Sequence, residues 1–260
     1  MRIATWNVNS ARARVDRIAA WVERSDVDVI ALQETKCKDE QFPTEVFRAL
    51  GYEVAHHGFS QWNGVAILSR VGIADVETAF AGQPQWGDPP ASEARALGAT
   101  CGGVRVWSLY VPNGRQLGDP HLEYKLDWLA RLRAAGADWL AADPASQVAL
   151  VGDWNVAPRD EDVWDMAVFE HSTHVSPPER AAFAAIVDAG FADVVRPHTP
   201  DQFTYWDYTQ LRFPRKEGMR IDFVLASPAL AARVTGASID RQERKGKGAS
   251  DHAPVVVDLD

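Results

Sequence analysis

Cysteine is nearly missing from this 260-residue chain: Cys37 and Cys101 are the only two. Two cannot make a disulfide framework, and they lack a zinc-binding spacing, which fits a reducing compartment. Long apolar runs are missing as well. No stretch approaches the roughly 20 residues that a membrane span needs. The opening "MRIATWNVNS" enters a strand-like pattern without the apolar core of a signal peptide. We therefore expect a cytoplasmic protein with no membrane association. Repeats of solenoid period and low-complexity tracts are also lacking. Positive charge is scarce: 27 Lys and Arg face 36 Asp and Glu, a formal net charge of −9. A partner rich in phosphate would have to be met by local clusters. "LRFPRKEGMR" offers Arg212, Arg215, Lys216 and Arg220, and "DRQERKGKG" offers Arg241, Arg244, Lys245 and Lys247. Taken alone, such runs read as solvated loops.

What the chain does have is apolar material, 46% of its residues, enough for one domain spanning 1–260. Runs rich in Val, Ile and aromatics, bounded by Gly, Pro, Asn or Asp, predict strands: "RIATWNV", "VDVIALQE", "YEVAHH", "GVAILS", "RVWSLYV", "QVALVGD", "RIDFVLAS" and "DHAPVVVDL". Apolar residues at helical spacing predict helices over 15–24, 121–142 and 178–190, while 80–92 reads as a Gly- and Pro-dense loop. Strands outnumber helices, and the helices are dispersed. The expected fold is α/β (α+β), with two packed mixed β-sheets flanked by helices rather than an alternating βαβ wheel.

Several of these strands end in polar residues. "ATWNVNS" supplies Asn7, "VIALQETK" Glu34, "ALVGDWNVAP" Asp153 and Asn155, and "KGASDHAP" Asp251 and His252. On an extended chain the pleat puts Asp153 and Asn155 on one face and Trp154 on the other, which reads either as a polar turn or as one wall of an active site. "GMRIDFVLAS" buries Asp222 between apolar neighbours, which is costly without a partner. Each has a structural alternative. Asn7 could cap a turn, Glu34 could pair with Lys36, Asp251 could be a turn residue, and Asp222 could pair with Arg220. Five such strand ends together point to hard-metal phosphoesterase chemistry. Cys37 reads as an incidental small residue.

In order along the chain, "TWNVNSARARVDR", "ALQETK", "SLYVPNG", "GDWNVAP", "GMRIDFVLAS" and "SDHAPVVVDL" resemble the motifs of the exonuclease III family of abasic-site endonucleases. That family sits in the endonuclease/exonuclease/phosphatase superfamily, and the resemblance runs from Arg2 to Leu259. It implies a DNase I-like four-layer α/β sandwich. It also implies a Mg²⁺ cofactor, with Mn²⁺ able to substitute, held by Glu34 with Asn7, Asp251 and Asp153 as further members of the metal site. Asp153 would orient or deprotonate the attacking water, and Asn155 would hold a phosphate oxygen or that water. His252 would contact the phosphate with Asp222 behind it, and Tyr110 would stand near the phosphate or leaving oxygen. Asn113 is implied at the phosphate, Arg115 as a residue reaching into the duplex, and Tyr205, Trp206, Met219 and Ile221 as a small apolar pocket for a baseless sugar. Met219 stands where some relatives have tryptophan.

The implied substrate is double-stranded DNA with abasic or 3′-blocked lesions, cut 5′ to the abasic site to leave a 3′-hydroxyl. Accompanying 3′→5′ exonuclease and 3′-end-cleaning activity would be carried by a monomer working at the nucleoid. Two rivals are a superfamily phosphatase acting on inositol phosphate or sphingolipid head groups, and a DNA-binding scaffold that has lost catalysis. "FTYWDY" speaks against the first, and the presence of Glu34, Asp153, Asn155, Asp222 and His252 against the second.

Overall fold

Strands such as "VIALQ" and "VALVGD" are buried along their whole length and need apolar cover on both faces. The computed structural model, which describes residues 1–260, provides that cover by stacking two six-stranded sheets. The first contains β1 (Arg2–Asn7), β2 (Val29–Gln33), β3 (Glu53–His57) and β4 (Val65–Ser69), with β11 (Val234–Ile239) and β12 (Val255–Leu259), in the order β11-β12-β1-β2-β4-β3. The second contains β5 (Ala74–Glu77), β6 (Ala96–Cys101), β7 (Val104–Tyr110), β8 (Val148–Asp153), β9 (Ala192–Asp193) and β10 (Asp222–Ala226), in the order β5-β6-β7-β8-β10-β9. Each sheet has a single parallel pair, β1–β2 in one and β7–β8 in the other.

The inner faces of both sheets share one core, with Ile67 and Val257 from the first and Val106 and Val151 from the second. Helices close the outer faces. The first sheet is covered by α1 (Val15–Ser25), through Ile18, Trp21 and Val22, and by α2 (Thr44–Ala49) through Phe47. The second is covered by α3 (Pro120–Ala142) and α5 (Pro177–Asp188), which meet Trp107, Leu150 and Phe223. Two short helices, α4 (Met166–Phe169) and α6 (Pro228–Ala231), lie in connections. The helix starts follow local chemistry. Asp119 accepts the His121 N–H ahead of α3, and Ser176 with Glu179 forms a capping box ahead of α5.

This is the four-layer mixed sandwich expected, with helix bounds one or two residues from the predicted ones. The unpredicted strands β5, β6, β9 and β11 have physical reasons for their silence. In β6, "ALGATC" has no Val or Ile, β11 is interrupted by Gly236, β5 is exposed throughout, and β9 has two residues. No helix is long and apolar enough to cross a membrane.

Candidate active site

The two parallel pairs deliver their polar ends to the same edge of the sandwich. Register places Tyr110 beside Asp153, and Asp153 beside Asp222, in a row across the second sheet. From the first sheet, Asn7 ends β1 and Glu34 follows β2. Gly152 makes the close approach to β7 possible: a Cβ there would lie 1.9 Å from the Leu109 carbonyl oxygen, at φ +148°.

Asn7 joins the sheets. Its Nδ2 donates to Glu34 Oε1 at 2.7 Å and to Asp153 Oδ2 at 3.0 Å, while its Oδ1 accepts the Asn9 N–H. Through these bonds Asn7 holds the two carboxylates together at the mouth of the cleft. Glu34 Oε2 lies 2.8 Å from Lys36 Nζ, so the pairing that was the structural alternative for Glu34 coexists with its place in the cleft. Burial pushes the Glu34 carboxyl up, but Lys36 and the Asn7 hydrogen bond outweigh it and hold the group below its ordinary value.

His252 Nδ1 meets both oxygens of Asp222, at 2.9 and 3.1 Å, and its Nε2 lies 3.8 Å from Asp153 Oδ2. Asp222 thus pairs with His252; Arg220, its structural alternative, reaches Asp193 and Thr199 instead. Burial disfavours the imidazolium, yet the charges of Asp222 and Asp153 raise His252 to about 10. The Asp153 carboxyl is carried up to about 7 by burial, partly opposed by the His252 charge. Burial and the neighbouring Glu34 carry the Tyr110 phenol well above its usual range.

Asp153 and Asn155 reach the cleft by a route other than the pleat. The strand stops at Asp153, Asn155 takes a left-handed φ of 49°, and its N–H returns to Asp153 Oδ1 at 2.9 Å. The segment is both a turn and a wall of the site. Trp154 points away into the core against Phe183. Glu34, Arg115 and His174 also have positive φ, at 52°, 59° and 77°, so strained backbone concentrates around this cleft.

The opposite wall is made of amides. Asn113 Nδ2 donates to Asn155 Oδ1 at 3.2 Å, and His174 Nε2 lies 3.0 Å from the same oxygen. Sequence reasoning missed His174, a lone histidine in a loop without a motif. Burial and the nearby Lys125 ammonium lower it to about 3, leaving its ring neutral.

The cleft between these walls encloses about 610 Å³ and is also lined by Arg115, Tyr205, Met219, Ile221 and Asp251. Trp206, expected in the sugar pocket, is instead 2% exposed in the inter-sheet core, packed on Phe213 with Arg241 above it. Between the sheets its large ring is removed from water more fully than a place in the cleft lining would allow. Asp251 holds its Oδ1 on Asn9 Nδ2 at 3.1 Å. Of the basic clusters, Arg212 and Arg215 share Glu217, Arg244 binds the Trp206 carbonyl and Arg220 is buried. Most of that charge fastens loops.

Donor atoms of Glu34, Asp153 and His252 lie within 4.8 Å of one another. His252, charged and committed to Asp222, is a poor ligand. The carboxylate oxygens suit a hard divalent cation.

The model of the Endonuclease/Exonuclease/phosphatase family matches residues 4–252. The chain is 30% identical to exodeoxyribonuclease III of Haemophilus influenzae over 277 residues, covering 100% of both. Among solved structures, it resembles the NExo protein of Neisseria meningitidis, described as a 3′–5′ exonuclease, with TM-score 0.93, 34% identity and 100% coverage of each. It also resembles an AP endonuclease of Archaeoglobus fulgidus, with TM-score 0.92, 33% identity and coverage of 100% and 99%.

Proposed function

The chain belongs to the endonuclease/exonuclease/phosphatase family and is a DNA-repair nuclease, and we propose that it hydrolyses the bond between phosphorus and a DNA 3′ oxygen with the help of Mg²⁺. Three activities reduce to that one bond. Cutting 5′ to an abasic site, removing a terminal nucleotide and removing a 3′ phosphate all expel a 3′ oxygen and leave a 3′-hydroxyl. What differs is the group on the far side of the phosphorus: an abasic sugar, a nucleoside or nothing. Duplex DNA carrying abasic or 3′-blocked lesions is the substrate this reading assigns, with the whole chain 1–260 acting as one catalytic unit, monomeric and at work on cytoplasmic DNA.

The observation that carries the proposal is the meeting, in one cleft, of an Asp222-held His252 with Asp153, Glu34 and the Asn113 and Asn155 amides. Asp153, at about 7, suits the removal of a proton from an attacking water. His252, cationic, donates from Nε2 to a nonbridging phosphate oxygen, and the two amides hold the phosphate from the facing wall. Tyr110, kept protonated, stands to donate to the departing 3′ oxygen. A divalent cation, Mg²⁺ first and Mn²⁺ in its place, would be held by Glu34 with Asp251 or Asp153, and would supply positive charge where the phosphate and the leaving oxygen gain negative charge. Tyr205, Met219 and Ile221 offer an apolar recess for a sugar without a base, and Arg115 stands at its rim.

The test uses three duplexes: one with a single abasic-site analogue, one with a 3′ phosphate at a nick and one with a recessed 3′ end, each with Mg²⁺ or EDTA. Metal-dependent release of a 3′-hydroxyl from these substrates, lost in Asp153→Ala, is expected. No reaction on any DNA, together with hydrolysis of an inositol phosphate, would overturn the proposal.

A further inference from the structure

Behind the amide wall lies an ion pair that the chemistry above does not use. Lys125 on α3 and Glu179 at the start of α5 are in contact, both side chains wholly inaccessible to solvent. The ammonium has three protons and finds three acceptors: Glu179 Oε1, the Asn113 carbonyl at 3.1 Å and the Asn155 carbonyl at 2.5 Å. Glu179 in turn accepts the His174 N–H at 2.9 Å and the Ser176 hydroxyl at 2.5 Å. Three chain segments far apart in sequence are fastened to one pair. The side chains of Asn113, Asn155 and His174, one from each, are those that meet in the cleft.

Removing two charges from water is costly, and an apolar pair of equal volume is often as stable or more so. What an apolar pair cannot do is fix three acceptors around one tetrahedral centre. We propose that the Lys125–Glu179 pair is a positioning device that aims the Asn113 and Asn155 amides at the substrate phosphate, though neither charge lines the cleft. This rests on the reading of the cleft as a DNA phosphodiester site.

Lys125→Met/Glu179→Gln removes both charges and keeps the volume. A misplaced phosphate contact of this kind costs about 10²-fold, so we expect kcat on the nicked 3′-phosphate duplex to fall by about that factor with KM little changed. When the same pair of changes is made in an Asn113→Ala/Asn155→Ala protein, the further loss should shrink to less than about threefold, because the groups being aimed are gone. An unchanged kcat in the first protein, or an undiminished loss in the second, overturns the proposal. Lys125→Gln, which keeps two N–H donors for the carbonyls, repeats the comparison if the first variant does not fold. A wild type that cuts no DNA would defeat the reading of the cleft but not this test, because side-chain amide NMR signals of Asn113 and Asn155 report the aim directly. They should be sharp in the wild type and broadened or shifted in Lys125→Met/Glu179→Gln, which has no donor for the two carbonyls; identical spectra would sink the idea.

Discussion

Two imidazoles face each other across this cleft, and the fold holds them in opposite charge states. His252 has carboxylates on both sides, Asp222 against Nδ1 and Asp153 beyond Nε2, and is held as a cation. His174 is buried close to the Lys125 ammonium, with its ring on an amide oxygen, and is held neutral. The residue type is the same; what differs is the charge placed behind it. A phosphate entering the cleft thus meets a charged donor on one side and neutral hydrogen-bonding groups on the other.

Breaking the charged side should have the largest effect. His252→Gln and Asp222→Asn are each expected to lower single-turnover cleavage by about 10²–10³, the usual loss for one preorganised donor to a developing anion. A rate within twofold of wild type in either would refute the imidazolium assignment. The neutral side should matter less. His174→Gln removes one uncharged hydrogen bond, worth about 0.5–1.5 kcal/mol, so the loss should stay near or below about tenfold; a loss as large as that of His252→Gln would erase the contrast between the walls.

The two histidines should also pull stability in opposite directions with pH. Unfolded, each titrates near about 6.5. Folded His174 takes its proton only near about 3, and the buried His121 only near about 4. Below about pH 6.5 the unfolded chain therefore binds protons that the folded chain refuses, and stability falls as pH drops through that window. Folded His252 keeps its proton to about 10, so its contribution is complete below about 6.5 and is lost as pH rises toward 10. Melting temperature against pH should show a flatter acid limb in His174→Gln and a flatter alkaline limb in His252→Gln. An acid limb unchanged by His174→Gln would contradict the neutral state. The smallest effect on catalysis is expected at Trp206. Trp206→Leu should lower the melting temperature through lost core volume while leaving KM for abasic DNA unaltered; a raised KM would return Trp206 to the sugar pocket.

The charged wall was legible in the sequence and the neutral wall only partly so, for a physical reason. Asp153, Asp222 and His252 sit at or beside strand ends, where an apolar run that stops on a charge is conspicuous. His174 and the Lys125–Glu179 pair lie on a loop and on helices, where polar residues are ordinary. One hint was available: Lys125 occupies the α3 face that buries Leu122, Leu129 and Leu132, a place where an unpaired ammonium would be costly. Trp206 went astray for the opposite reason, since an aromatic residue beside Tyr205 reads equally well as pocket or core until packing decides. For Asn155 the sequence left a polar turn and a site wall both open, and that one left-handed residue makes the segment both at once was beyond pattern reading.

The pairing of β1 with β12 bears on the order in which the enzyme comes into being. Thr5 lies opposite Ala31 on one side and Val255 on the other, so β1 meets β2 early but waits about 250 residues of chain for its second neighbour. Until then the open side of β1 is an unpaired strand edge, the kind of surface that invites stray pairing. The same delay falls on the cleft: His252 lies just ahead of that closing strand, so its pairing with Asp222 cannot form until the chain has been made to that point.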